Sequence, residues 1–153
     1  MGSPGTFYRE SIKAATKLNR RAVLLMGENL PPENLSQNII VAKYAPYSQI
    51  FPHACEIVHQ GGIGTAAQAL RSGRPTLIMP YTYDQPDNAD RLEHLGTSRT
   101  ISPKQYCSSQ VVKQLRELLE NPKYASEAKE ISKIVQADNG VAVACDAIEK
   151  QIL

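Results

Sequence analysis

Apolar residues along this chain fall into short continuous runs, separated by stretches with helical spacing. The runs at 22–26 (Ala-Val-Leu-Leu-Met), 38–43, 56–59, 76–79 and 98–101 read as strands. Residues 6–19, 64–71, 86–95, 108–120, 123–136 and Gly140 onward read as helices. In the first helix Phe7, Ile12, Ala15 and Leu18 lie roughly on one face, and Arg9, Glu10, Lys13 and Lys17 lie elsewhere. In 108–120 the same spacing joins Val111, Val112, Leu115, Leu118 and Leu119. The run at 22–26 has no polar alternation, as expected of a strand buried on both faces. Pro31-Pro32 marks a loop, Gly73 and Pro75 stop one helix, and Gly96 stops another. Strands alternating with helices predict an α/β domain with a Rossmann-like, doubly wound parallel sheet and a helical C-terminus.

The first strand of a doubly wound sheet is central. Here a helix begins almost at once, and Gly2-Ser3-Pro4-Gly5 is turn material. The pattern therefore predicts that the chain starts at the end of that strand. Residues 1–153 are expected to be one domain, truncated at its N-terminus.

Composition narrows the class. At 153 residues, 42% hydrophobic and 21% charged, the chain fits one globular domain. The net charge of +2 and the scattered basic residues give no reason to expect a nucleic-acid partner. No apolar run approaches the ~18 residues of a membrane helix. Association with a membrane surface through a partner or another segment stays open. Three cysteines, an odd number without metal-ligand spacing, predict a reduced, cytoplasmic protein. Cys55 and Cys145, among apolar neighbours, are expected to be small core side chains.

The chemistry concentrates at His59-Gln60-Gly61-Gly62-Ile63-Gly64-Thr65, where a strand ends and a helix opens. Ligands of open α/β sheets bind at such strand ends. Glycines let the backbone approach a ligand closely, and the first helical amides have no internal partner. With the helix dipole they suit a phosphate or diphosphate, and Thr65 adds a hydroxyl. The alternative is a turn that only permits tight strand–helix packing. The glycines match neither a P-loop, which needs a lysine, nor the dinucleotide fingerprint, whose third glycine is missing.

A second segment, Pro80 through Asn88, follows the next strand. Asp84 and Gln85 suit sugar hydroxyls. Taken alone, they suit N-terminal capping of the following helix better. Asp84, Asp87 and Asp90 recur every three residues, but no further cluster completes a metal shell, so a solvated helix start is expected there. The histidines show no zinc spacing, and His53 and His94 are expected to be structural or solvent-facing.

Together these segments resemble the C-terminal domain of GT-B glycosyltransferases, in particular macrolide/glycopeptide-type and sterol glucosyltransferases. The matching residues are Tyr44-Ala45-Pro46-Tyr47, Phe51-Pro52-His53, Ile57 through Thr65, Ala69 through Pro75, Met79-Pro80, Asp84-Gln85-Pro86, Ala89-Asp90-Arg91 and Leu95-Gly96. The resemblance implies a domain that binds a UDP- or dTDP-sugar, with no metal cofactor required. It implies that Ser3, His59, Gln60, Gly61, Gly62, Gly64 and Thr65 meet the donor diphosphate. Asp84 and Gln85 would meet the sugar, and Tyr44 and Tyr47 the nucleotide base. Many relatives carry two histidines before the glycine pair, the second on the diphosphate. Here Gln60 takes that place, and glutamine carries no positive charge. The family's general base lies in an N-terminal acceptor domain, so no catalytic residue is assigned within this chain. That acceptor half is expected from a longer polypeptide or from a separate subunit. A dinucleotide-binding oxidoreductase domain and a non-enzymatic interaction domain are the competing readings. The first predicts nicotinamide binding without uridine-nucleotide binding, and the second predicts no nucleotide affinity.

Overall fold

The computed structural model describes residues 4–152. The chain runs α1 (Pro4–Lys17), β1 (Ala22–Leu25), β2 (Ile39–Ala42), α2 (Tyr47–Ile50), β3 (Ile57–His59), α3 (Ile63–Ser72), β4 (Thr76–Ile78), α4 (Gln85–His94), β5 (Ser98–Thr100), α5 (Ser108–Glu120), α6 (Pro122–Ala137) and α7 (Gly140–Ile152). Each expected strand and helix is present, with ends shifted by a residue or two. Helix α2 and the 3-10 turn after it, Phe51–His53, are additions to the expected list. Both α3 and α4 stop at left-handed glycines, Gly73 at φ +68° and Gly96 at φ +70°, a conformation that other residues rarely adopt.

All strand pairs are parallel, but among the described residues the sheet falls into two pieces. β1 pairs with β2, and β3, β4 and β5 pair in that order. α1 lies against both. Its Ala14 joins a core with Leu77, Met79, Ile101, Val111 and Leu118, while its Ala15 joins Leu24, Met26 and Ile39. The opposite face of the three-stranded piece packs Ile78 against Ala66 of α3 and Ala89 and Leu92 of α4. Leu77 and Ile78 are adjacent in sequence and point to opposite faces, and both are fully buried. Each such side chain contributes ~1.5–3 kcal/mol.

Polar contacts fix the helices. The Glu10 carboxylate accepts the Ser108 amide at 2.9 Å and so caps α5 from α1. The Lys13 ammonium and then that amide hold Glu10 down at about 2. At the far end of α3, the hydroxyl of Ser132 and the amide of Gln136, both from α6, donate to the Arg71 carbonyl.

Two expectations are corrected. β1 is buried on one face only. Val23 is 55% exposed, and Ile40 beside it is also exposed, because α1 covers one side of the β1–β2 pair. The cysteines are not core residues. Cys55 sits exposed in the turn before β3. Cys145 sits on α7, where Val141 to Gln151 are all exposed. Apolar neighbours in sequence bury a side chain only when another element covers them. No described helix is long and apolar enough to cross a membrane.

Candidate functional site

The strands of both sheet pieces end at one edge. Tyr8, near the start of α1, donates its hydroxyl to the carbonyl of Leu25 at the end of β1. Its neighbour Phe7 stacks on Tyr106, in the loop after β5. The glycine turn after β3, the 80–84 loop after β4 and the Tyr44 loop after β2 therefore share that edge, where parallel α/β sheets place ligands.

The glycine turn is shaped from within. The Nδ1 of His59 accepts the amide of Gly61 at 2.9 Å, so the ring proton sits on Nε2. That Nε2 is buried and has no protein partner among the described residues. Burial pulls the His59 imidazole down to about 4, which keeps it neutral at pH 7. Gly61 takes φ +87° and turns the chain into α3. Its own amide points inward, so its part is to shape the turn.

The next amides point outward. Gly62, at the N-cap of α3, brings no side-chain cap. Among the described residues no protein acceptor takes the amides of Gly62, Ile63, Gly64 or Thr65. A Cβ at Gly62 or Gly64 would meet nothing within 4 Å beyond its chain neighbours and the backbone of its own helix. Ile63 and Gly64 are exposed, and Thr65 is half-buried. The result is an open ledge of donors at the positive end of a helix dipole. Gln60 is exposed beside it. Two surface hollows lie away from this ledge, one of about 230 Å³ beside Gln68 and Arg71, the other of about 300 Å³ beside Lys123 and Tyr124.

The second segment packs directly against the first. Asp84 stands at the N-cap of α4 but makes no capping bond. Its Oδ2 instead accepts Nδ2 of Asn88 at 2.8 Å. The same Nδ2 donates to the Gly61 carbonyl at 2.9 Å. The Oε1 of Gln85 accepts the Tyr81 and Thr82 amides at 2.8 and 3.3 Å and holds the loop before α4. Neither residue caps α4. Tyr83, just before Asp84, takes φ +57°, a left-handed turn that costs roughly 1–3 kcal/mol for a non-glycine residue. The three aspartates each pair four residues on: Asp84 with Asn88, Asp87 with Arg91, and Asp90 with His94. Among the described residues no group of three or more His, Cys, Asp or Glu is placed to hold a metal ion.

Tyr44 is 78% exposed at the end of β2. Tyr47 instead stacks on Phe51 at 4.5 Å between ring centroids. Ser3 lies outside the described residues. Sequence reasoning assigned no role to Asn88. The signal for it was its i,i+4 spacing from Asp84.

Residues 10–148 match the family described as erythromycin biosynthesis protein CIII-like, C-terminal domain. The chain belongs to that family. It is 33% identical over 138 residues to the O-mycaminosyltylonolide 6-deoxyallosyltransferase of Streptomyces fradiae, a match covering 90% of this chain and 32% of that protein. It is 32% identical to the sterol 3-beta-glucosyltransferase of Yarrowia lipolytica, covering 99% of this chain and 11% of the relative. The solved glycotransferase of kitacinnamycin superposes with a TM-score of 0.86 at 27% identity, over 95% of this chain and 38% of that one. The fold is thus that of the C-terminal half of GT-B glycosyltransferases. The chain spans about a third of the length of the first curated relatives it matches.

Proposed function

We propose that this family member is the nucleotide-sugar half of a glycosyltransferase. It binds a UDP- or dTDP-sugar for transfer to an acceptor hydroxyl. The observation that carries this reading is the row of unpaired amides at the start of α3, beside the Asp84–Gln85 segment. The diphosphate sits on the amides of Gly62, Ile63, Gly64 and Thr65, with Gln60 at its margin; Ser3, outside the described residues, is assigned to it by the family resemblance alone. His59 and Gly61 serve the same diphosphate by setting the turn. The sugar lies toward Asp84 and Gln85. Tyr44 stacks on the base, and Tyr47 with Phe51 forms the wall behind it.

In the reaction an acceptor oxygen attacks the anomeric carbon and the nucleoside diphosphate leaves. Negative charge grows on the leaving phosphate, where the preorganised amides and helix dipole stabilise it. Backbone donors meet that charge directly, so the reading assigns no metal. The exposed ledge is half of a cleft. The facing acceptor half, from the same polypeptide or a separate chain, supplies the base. Three exposed thiols suit a reducing cytoplasm.

The test is calorimetric titration with UDP, UDP-glucose, dTDP and NAD, repeated for Gly64→Val. Uridine or thymidine diphosphate binding that this variant abolishes, while its melting curve stays cooperative, is the expected result. Binding of NAD alone, or equal binding by the variant, would overturn the reading.

A further inference from the structure

Asn88 is a buried polar residue on α4, and both protons of its side-chain amide are committed. One goes to the carbonyl of Gly61 and the other to Oδ2 of Asp84, twenty-seven and four residues away. The two peptide units that meet at Gly61 are thereby each held, one through its amide by His59 and the other through its carbonyl by Asn88. The Asp84 carboxylate is drawn off the α4 amides toward the glycine turn, and its second oxygen has no protein partner among the described residues. One side-chain nitrogen thus links the turn that would hold the diphosphate to the carboxylate that would hold the sugar.

We propose that Asn88 is a positioning residue, which sets the distance between the sugar-binding Asp84 carboxylate and the diphosphate turn. The proposal rests on the donor-binding reading above. Few residues replace asparagine here. Aspartate has no proton to give at neutral pH and faces Asp84 with a like charge; alanine fills neither bond; glutamine is longer by a methylene in a buried space.

The readout is the sugar increment, the ratio of the UDP to the UDP-glucose dissociation constant, measured by calorimetry on the full chain. For the native chain the ratio is expected to be roughly tenfold, the worth of one hydrogen bond to a charged group at the low end of its range. Asn88→Ala lowers it toward one, and the double variant Asn88→Ala/Asp84→Ala lowers it no further than Asp84→Ala alone. Asn88→Asp is close in shape and serves if the alanine variant does not fold. It loses the increment, because it has no proton to donate to either acceptor and faces Asp84 with a like charge. A purely structural Asn88 would lower the melting temperature and leave the ratio intact. A native ratio kept within twofold in Asn88→Ala or Asn88→Asp, or additive losses in the double variant, would overturn the proposal. Absence of UDP binding by the native chain would instead remove the donor-binding reading and this proposal with it.

Discussion

A methyl group on Gly61 would sit 3.1 Å from the backbone carbonyl oxygen of Gln85, at the start of α4. It would lie equally close to Cγ2 of Ile78. The glycine turn and the Asp84–Gln85 segment, separated in sequence, are thus in direct contact, with no room for a side chain between them. Gly61→Ala combines that contact with a φ of +87°. The backbone term alone is expected to cost roughly 1–3 kcal/mol. Thermal melting should show the loss, and UDP titration should show weaker binding because α4 is pushed from the turn.

Gly64 stands in the opposite situation. Its φ is ordinary and a Cβ there meets nothing. Alanine in the first turn of α3 is expected to stabilise the fold by roughly 0.5–1 kcal/mol, as glycine-to-alanine changes in helices do. The same methyl group stands where a diphosphate would approach, so UDP affinity should fall. A variant that melts higher and binds as tightly as the native chain would show that the ledge does not seat the ligand.

A buried histidine and a half-buried glutamate set an opposed pH dependence of stability. His59 is held at about 4 in the fold against 6.5 unfolded. The unfolded chain binds more protons between those values, so stability falls as pH drops from about 6.5 to 4, by roughly 3 kcal/mol in full. Protonation also removes the acceptor for the Gly61 amide. Burial raises Glu56 to about 8, with Arg20 opposing, against 4.5 unfolded. Here the folded chain binds more protons, so this contribution is lost as pH rises from 4.5 toward 8. Urea denaturation of Glu56→Gln should show less loss between pH 6.5 and 8 than the native chain. His59→Gln should flatten the acid limb.

The two tyrosines proposed for the nucleotide base differ in their settings. Tyr44 is exposed and Tyr47 is stacked on Phe51. Tyr44→Ala is expected to leave the melting temperature within a degree or two of native, as surface changes do, while weakening UDP binding several-fold through lost stacking. Tyr47→Ala is expected to lose ~0.5–1.5 kcal/mol of aromatic pairing in stability, on top of the buried area. Parallel melting and titration curves check both, and an unchanged affinity in Tyr44→Ala would remove that residue from the base site.

Apart from α2, strand and helix order was readable from the residues, as were the glycine stops at Gly73 and Gly96 and the places of the glycine turn after β3 and the Asp84–Gln85 segment after β4. Hydrophobic period and turn chemistry are local properties, and the chain states them directly. Burial was read less well. Ala-Val-Leu-Leu-Met at 22–26 and the neighbours of Cys55 and Cys145 are apolar, but exposure depends on whether another element lies over them. No local pattern encodes that.

The sequence by itself determined where a strand gives way to a helix through glycines, because turn chemistry is local; it left open whether that turn presents free amides or only packs tightly. Only the tertiary structure decided which amides those are. It turned the Gly61 amide inward to His59 and left those of 62–65 outward. It also brought Asn88 between Gly61 and Asp84. A hydrogen bond between residues far apart in sequence exists only once the intervening strand and helix have packed, and α3 and α4 meet over Ile78 for reasons of volume rather than of local propensity.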